Sequence, residues 1–71
     1  MNVRSDVAEL STLRTVLEDV TRRVEAVAER LAQTPDSAVT SELFSAERSL
    51  VTARRAIERA SSTLSELPDL V

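Results

Sequence analysis

The chain has 71 residues, a net charge of −3 and an apolar fraction of 42%, with a single aromatic residue. This length allows one small domain, which buries a modest core and often depends on a staple or a partner. Cysteine is absent, so neither a disulfide nor a thiolate metal site can be that staple. Glycine, histidine and lysine are absent too, whereas Ala, Leu, Glu and Arg, all good helix formers, are abundant. The composition is typical of a coiled coil or a long helical hairpin.

Charge and hydropathy argue against two classes of partner. The nine basic residues are outnumbered by 12 acidic ones, so the chain lacks the concentrated basic face that drives binding to nucleic acid. Arg4, Asp6 and Glu9 interrupt the first apolar positions, which therefore do not form a signal peptide. No run approaches the ~18 apolar residues of a membrane span. We expect a cytoplasmic protein that neither binds nucleic acid nor crosses a membrane.

The first helix is predicted over about residues 5–33. Ser5, followed by acidic residues, is the predicted N-cap, with Asn2 as the alternative. Pro35 ends this helix, because the residue before a proline is disfavoured in the α conformation.

The second helix is predicted over about residues 36–67. Thr34 can cap it, Pro35 suits its first position, and Asp36 places negative charge at the positive end of the helix dipole. Pro68 ends it and leaves a short tail, residues 68–71. Because the turn at residues 34–36 is short, the two helices should run antiparallel, side by side, as a single domain.

Each predicted helix carries an apolar stripe with heptad spacing, made of two columns of residues. In the first helix the first column is Leu10, Leu17, Val24 and Leu31, and the second is Leu13, Val20 and Val27. In the second helix the first column is Leu43, Leu50, Ile57 and Leu64, and the second is Val39, Ala46, Ala53, Ala60 and Leu67.

Folding the chain at Pro35 pairs these columns in a constant register, with Val27 opposite Leu43 and Leu17 opposite Ala53. The alanines of the second helix then face leucine and valine of the first, so that each layer places a large side chain against a small one. The sequence therefore predicts an all-α, coiled-coil-like antiparallel hairpin with an Ala-rich seam. The same register predicts an ion pair between Arg30 and Glu42, and places Arg14 and Arg54 face to face.

Apolar residues outside the stripe indicate association. Phe44 and Val51 lie on one flank of the second helix, next to Ala28 and Thr21 of the first. We predict that this strip binds another chain, most simply a second copy, giving a homodimeric antiparallel four-helix bundle. Alternatively, Phe44 folds over its own hairpin. The predicted interface consists of Phe44, Val51, Ala28, Thr21, Val16 and Ala56.

Catalytic chemistry is missing from the sequence. No His, Cys, Lys or Tyr is available as a base or nucleophile, and helical carboxylate metal sites normally include a histidine. We expect no enzyme activity, no cofactor and no metal. A cluster of arginines is the one candidate site for an anion or an acidic partner, although we favour the interpretation that it is a solvated helix face. Its members are Arg14, Arg54, Arg55 and Arg59.

The hairpin is similar in outline to the small secreted helical hairpins of the WXG100 class. Those are longer and carry Trp-x-Gly at the turn, where this chain has Thr34, Pro35, Asp36 and Ser37, so the resemblance covers topology alone and transfers no residues. The sequence predicts a non-enzymatic, self-associating assembly or protein-interaction module. Three alternatives stay open: one half of a heteromeric helical complex, such as a secretion-associated, antitoxin-like or adaptor subunit; a regulator that contacts nucleic acid through the arginines; and capture of the Leu70–Val71 tail by a peptide-binding groove.

Overall fold

The computed structural model describes residues 3–33 and 37–67. These residues form two α-helices, α1 (Val3–Leu31) and α2 (Ser37–Glu66), which pack against each other as a hairpin. The predicted all-α, two-helix architecture is confirmed. The predicted turn at residues 34–36 and the tail at residues 68–71 lie outside the described residues.

The helices continue slightly beyond their regular spans. After Leu31, the amide of Ala32 still donates to the carbonyl oxygen of Ala28, at 2.8 Å. After Glu66, the amide of Leu67 donates to the carbonyl oxygen of Leu64, at 3.1 Å, which tightens the last turn. At the same end of the hairpin as Leu67, α1 begins at Val3, ahead of the predicted cap at Ser5.

The hairpin is long and thin, with extents of 58 × 14 × 13 Å. Two helices side by side cover only one stripe of each other, so a side chain in the contact still has solvent on its flanks. Among the described residues no large side chain is fully buried, and the buried positions are Val3, Thr21 and Ala28. The two helices alone therefore do not enclose a hydrophobic core.

The contact between the helices uses the first column of each helix and one further column beside it. The first columns are half-buried along their whole length, as predicted. The column beside them, here called the third column, is Val7, Arg14, Thr21 and Ala28 in α1, and Thr40, Glu47, Arg54 and Ser61 in α2. Apart from Arg14, every member of the third columns is at least half-buried, so the contact is centred between the first and third columns.

The predicted Ala-rich seam is wrong. Ala46, Ala53 and Ala60 are exposed, so Leu17 does not pack against Ala53 inside the hairpin. Each helix is turned about its own axis by roughly 50° relative to the prediction, which is half the rotation between successive residues. The second columns therefore lie beside the contact and not within it.

Small residues of α1 explain this rotation. Ala28 is completely buried and Thr21 is 6% exposed. The antiparallel register, in which Val27 of α1 and Leu43 of α2 line one groove, places Leu43 near Ala28 and Leu50 near Thr21. Large side chains thus meet small ones, as predicted, but α1 supplies the small residues. The close approach of the helices buries large side chains on one partner without overpacking the other.

Candidate association surface

The second columns of both helices lie on the same side of the hairpin. On the opposite side, Ser11 of α1 and Glu58 of α2 line one cavity together with the third-column residues Arg14 and Ser61. Since these flanking residues share one side, the second columns share the other. We call the surface formed by the second columns the open face; it consists of Leu13, Val20, Val27, Val39, Ala46, Ala53, Ala60 and Leu67.

The open face is apolar apart from the exposed Asp6, which lies one heptad before Leu13 near the start of α1, and most of its residues are exposed to solvent. Leu13 is 40% exposed and Val39 is 42% exposed, while Val20 and Val27 are half-buried. Between the helices it contains a groove of about 250 Å³, lined by Val20, Val24, Val27 and Leu43 with Arg23 at its rim. Contiguous exposed aliphatic side chains are common at the interaction surfaces of proteins, which makes the open face the candidate surface for association.

The outer edges of the open face contain charged, polar and apolar side chains. On α1 the edge residues are Glu9, Val16, Arg23 and Arg30, and on α2 they are Glu42, Ser49, Ala56 and Thr63, all of them exposed. Of the four ion pairs among the described residues, three join residues of α1 and one joins residues of α2, so none links the helices and the predicted Arg30–Glu42 pair does not form inside the hairpin. These two side chains lie on opposite outer edges instead.

The six residues of the predicted interface do not lie on one surface. Thr21 and Ala28 are buried inside the hairpin contact, where no outside partner can reach them. Phe44, which is 40% exposed, and the half-buried Val51 flank the contact on the side away from the open face. The remaining two, Val16 and Ala56, are exposed at the outer edges of the open face.

The side away from the open face is polar along most of its length. Arg14 lies 3.8 Å from Glu18, and Arg54 lies 3.6 Å from Glu58, each pair separated by one helical turn. Partly exposed pairs of this kind contribute at most a few tenths of a kcal/mol to stability. Each of the two arginines thus has a carboxylate partner on its own helix.

Two of the four arginines in the predicted cluster form ion pairs with glutamates. Arg14 and Arg54 each have a glutamate partner, and Arg55 and Arg59 line a shallow depression that also contains Glu58. These two glutamates reduce the positive charge of the cluster, and the binding of an anion or acidic partner by the four arginines stays a prediction. Among residues 3–33 and 37–67, no group of carboxylates is placed to hold a metal ion, and neither helix is long and apolar enough to cross a membrane.

Two polar atoms are buried in the contact without a hydrogen bond: the Oγ1 atom of Thr40 and the Nε atom of Arg54. Both belong to the third column of α2, which is polar at all of its described positions. A buried polar group that lacks a hydrogen bond is destabilising. The contact inside the hairpin thus contains two polar atoms whose burial reduces stability.

No family model, curated protein or solved structure matches this chain. The open face, together with its edges, is therefore interpreted from its own chemistry. Sequence reasoning identified the columns that form it but assigned them to the hairpin seam. The sequence feature that distinguishes the hairpin contact from the open face is the pair of small residues Thr21 and Ala28. They are seven residues apart, the same spacing as that of the first column.

Proposed function

We propose that this protein is a non-enzymatic assembly module whose open face binds a second copy of the chain, forming an antiparallel four-helix bundle. The observation that carries the proposal is the apolar column on each helix beside the hairpin contact, from Leu13 to Val27 on α1 and from Val39 to Ala60 on α2, which is exposed along α2 and at Leu13 and half-buried at Val20 and Val27. In a four-helix bundle each helix contacts two neighbours and directs both apolar columns into the core. The hairpin already has one of these two contacts.

The area available fits such a dimer. The chain exposes 5278 Å² of surface. A compact monomer of 7.8 kDa exposes about 4,400 Å², so the hairpin carries an excess of about 900 Å². A stable interface removes about 800 Å² from each partner. The excess is of the same size as the area that one partner loses in a stable interface, which supports a second hairpin as the occupant of the open face.

Catalysis has no part in this proposal, because the sequence contains no His, Cys, Lys or Tyr to act as a base or nucleophile or to activate its serines and threonines. The role rests on the apolar surface alone. A different helical protein with a similar apolar face is the competing occupant, and it makes the chain one half of a heteromeric complex. Solution behaviour separates the two, since half of a heteromer stays monomeric and loosely packed when it is purified alone.

The test compares two adjacent residues of α2. Ala53 lies in the open face, while Thr52, also exposed, lies on the outer side of the helix. Ala53→Glu is expected to weaken self-association about a hundredfold or more, because a carboxylate without a partner is costly in a dry contact. Thr52→Glu adds the same charge to the same helix and should leave the association constant unchanged. An Ala53→Glu protein that associates like its Thr52→Glu counterpart would refute the proposal.

A further inference from the structure

The open face has two unlike halves, and this difference determines how two copies fit together, given that the self-association proposed above occurs. The α1 half carries the large side chains Leu13, Val20 and Val27. The central part of the α2 half carries only methyl groups, at Ala46, Ala53 and Ala60. Because the side chains of the α1 half are larger than those of the α2 half, the orientation of the second copy determines whether large side chains pack against small ones.

Two-fold symmetry allows two ways of placing one open face on another with all neighbouring helices antiparallel. In the first, α1 of each copy lies on α2 of the other, and both turns are at the same end of the bundle. In the second, α1 lies on α1 and α2 lies on α2, and the turns are at opposite ends. The two arrangements bury the same residues but pair them differently.

We infer that the copies associate with their turns at the same end, with α1 of one copy packed on α2 of the other. Spacing between helices follows side-chain size and ranges over 8–10 Å. Packing α1 on α2 sets leucine and valine against alanine at both contacts between the copies, so both contacts have the same spacing. Packing like on like would bring the two α2 helices close together and hold the two α1 helices apart.

The edges of the open face support the same arrangement. With the register of the hairpin carried over to the partner, Val16 of α1 comes next to Ala56 of the partner's α2, and Arg30 comes next to Glu42. In this arrangement the two apolar edge residues pack against each other between the copies. Arg30 and Glu42, which do not pair within one hairpin, form an ion pair between the copies. The like-on-like arrangement also offers an attractive charge pair, Glu9 with Arg30, but it sets Val16 against Arg23. The apolar pair therefore distinguishes the arrangements, whereas the charges do not.

Distances between spin labels on the two copies test the arrangement, because the chain has no cysteine of its own and a single introduced cysteine is unique. Ala32 and Ala8 are exposed, near opposite ends of α1. We would prepare Ala32→Cys and Ala8→Cys separately, label each, and first confirm that each labelled protein keeps the parent's mass.

With the turns at the same end, the label separation stays within about 25 Å in both variants, since it spans only the width of the bundle. With the turns at opposite ends, the separation is about 35 Å or more in both, because the labels are displaced along the axis by roughly 1.5 Å per residue. The longer distance would overturn this arrangement and leave self-association in place. A single-chain mass with no dipolar coupling between copies would overturn both proposals.

Discussion

Thr21 donates its hydroxyl hydrogen to the carbonyl oxygen of Leu17, with 2.7 Å between the two oxygens. This bond lies within α1 and satisfies the hydroxyl group without help from α2. Thr21 can therefore sit in the hairpin contact with only 6% of its surface exposed, and its methyl group packs as an alanine-sized residue would. Together with Ala28, one heptad later, it provides the small surface on which the helices meet.

The buried methyl group of Thr21 gives the first prediction. Thr21→Ser keeps the hydroxyl group and removes one methyl from the contact, so the free energy of unfolding should fall by about 1 kcal/mol. Thr12 is the matched control, since its hydroxyl donates in the same way to the carbonyl oxygen of Ala8, at 3.2 Å, from an exposed position. Thr12→Ser should change stability by less than about 0.5 kcal/mol. Urea unfolding at one protein concentration measures both, and equal effects would show that Thr21 is not packed.

The complete burial of Ala28 predicts a strong response to a larger side chain. Ala28→Leu should overpack the contact between the helices and lower the free energy of unfolding by about 1–3 kcal/mol. Ala26, two residues earlier on α1, is exposed, so Ala26→Leu makes the same chemical change outside the contact and should be nearly neutral. Thermal unfolding followed by circular dichroism compares the two, and an Ala28→Leu protein as stable as the parent would contradict the close approach of the helices.

Replacing Arg54 with an apolar residue is expected to increase the free energy of unfolding. The Arg54 side chain is only 29% exposed, and its Nε atom is buried without a hydrogen bond, 3.6 Å from Glu58. Replacing a partly buried charged group with an apolar one of similar length is often stabilising, and we expect Arg54→Leu to gain about 1 kcal/mol. Arg55→Leu, at the exposed neighbouring position, is the control and should produce no gain. Denaturant titrations decide the matter, and a loss of stability in Arg54→Leu would mean that the Arg54–Glu58 pair is worth more than its geometry indicates.

Substituting Phe44 tests whether a partner binds to the open face or to the strip that contains Phe44 and Val51. Phe44 flanks the hairpin contact on the side away from the open face. If the open face is the interface, Phe44→Glu should leave the association constant within about threefold of the parent value, because single charges outside an interface act only at long range. Sedimentation equilibrium measures this alongside Ala53→Glu. A Phe44→Glu protein that dissociates, beside an Ala53→Glu protein that does not, would assign the interface to the strip containing Phe44 and Val51.

The sequence alone predicts the helices and their packing as a hairpin, because heptad spacing and two prolines act locally and need no knowledge of the partner surface. It also identifies which columns are apolar. The sequence does not show which columns of a wide apolar stripe pack against the other helix of the hairpin and which are left for a second chain. Arg14 lies in the same column as Thr21 and Ala28. Because Arg14 is charged, the sequence pattern does not identify this column as part of the contact, although its small residues allow the helices to meet there. The open face was assigned to the seam for this reason.

The solution mass over a range of protein concentrations tests the central claim most directly. Sedimentation equilibrium should give twice the chain mass of 7.8 kDa at high concentration, with reversible dissociation on dilution that follows a monomer–dimer equilibrium. Helicity and cooperative unfolding should decrease together with the dimer, because an isolated hairpin has no enclosed core. A single-chain mass at every concentration, combined with cooperative unfolding, would show that the open face is stable in water and would contradict the account.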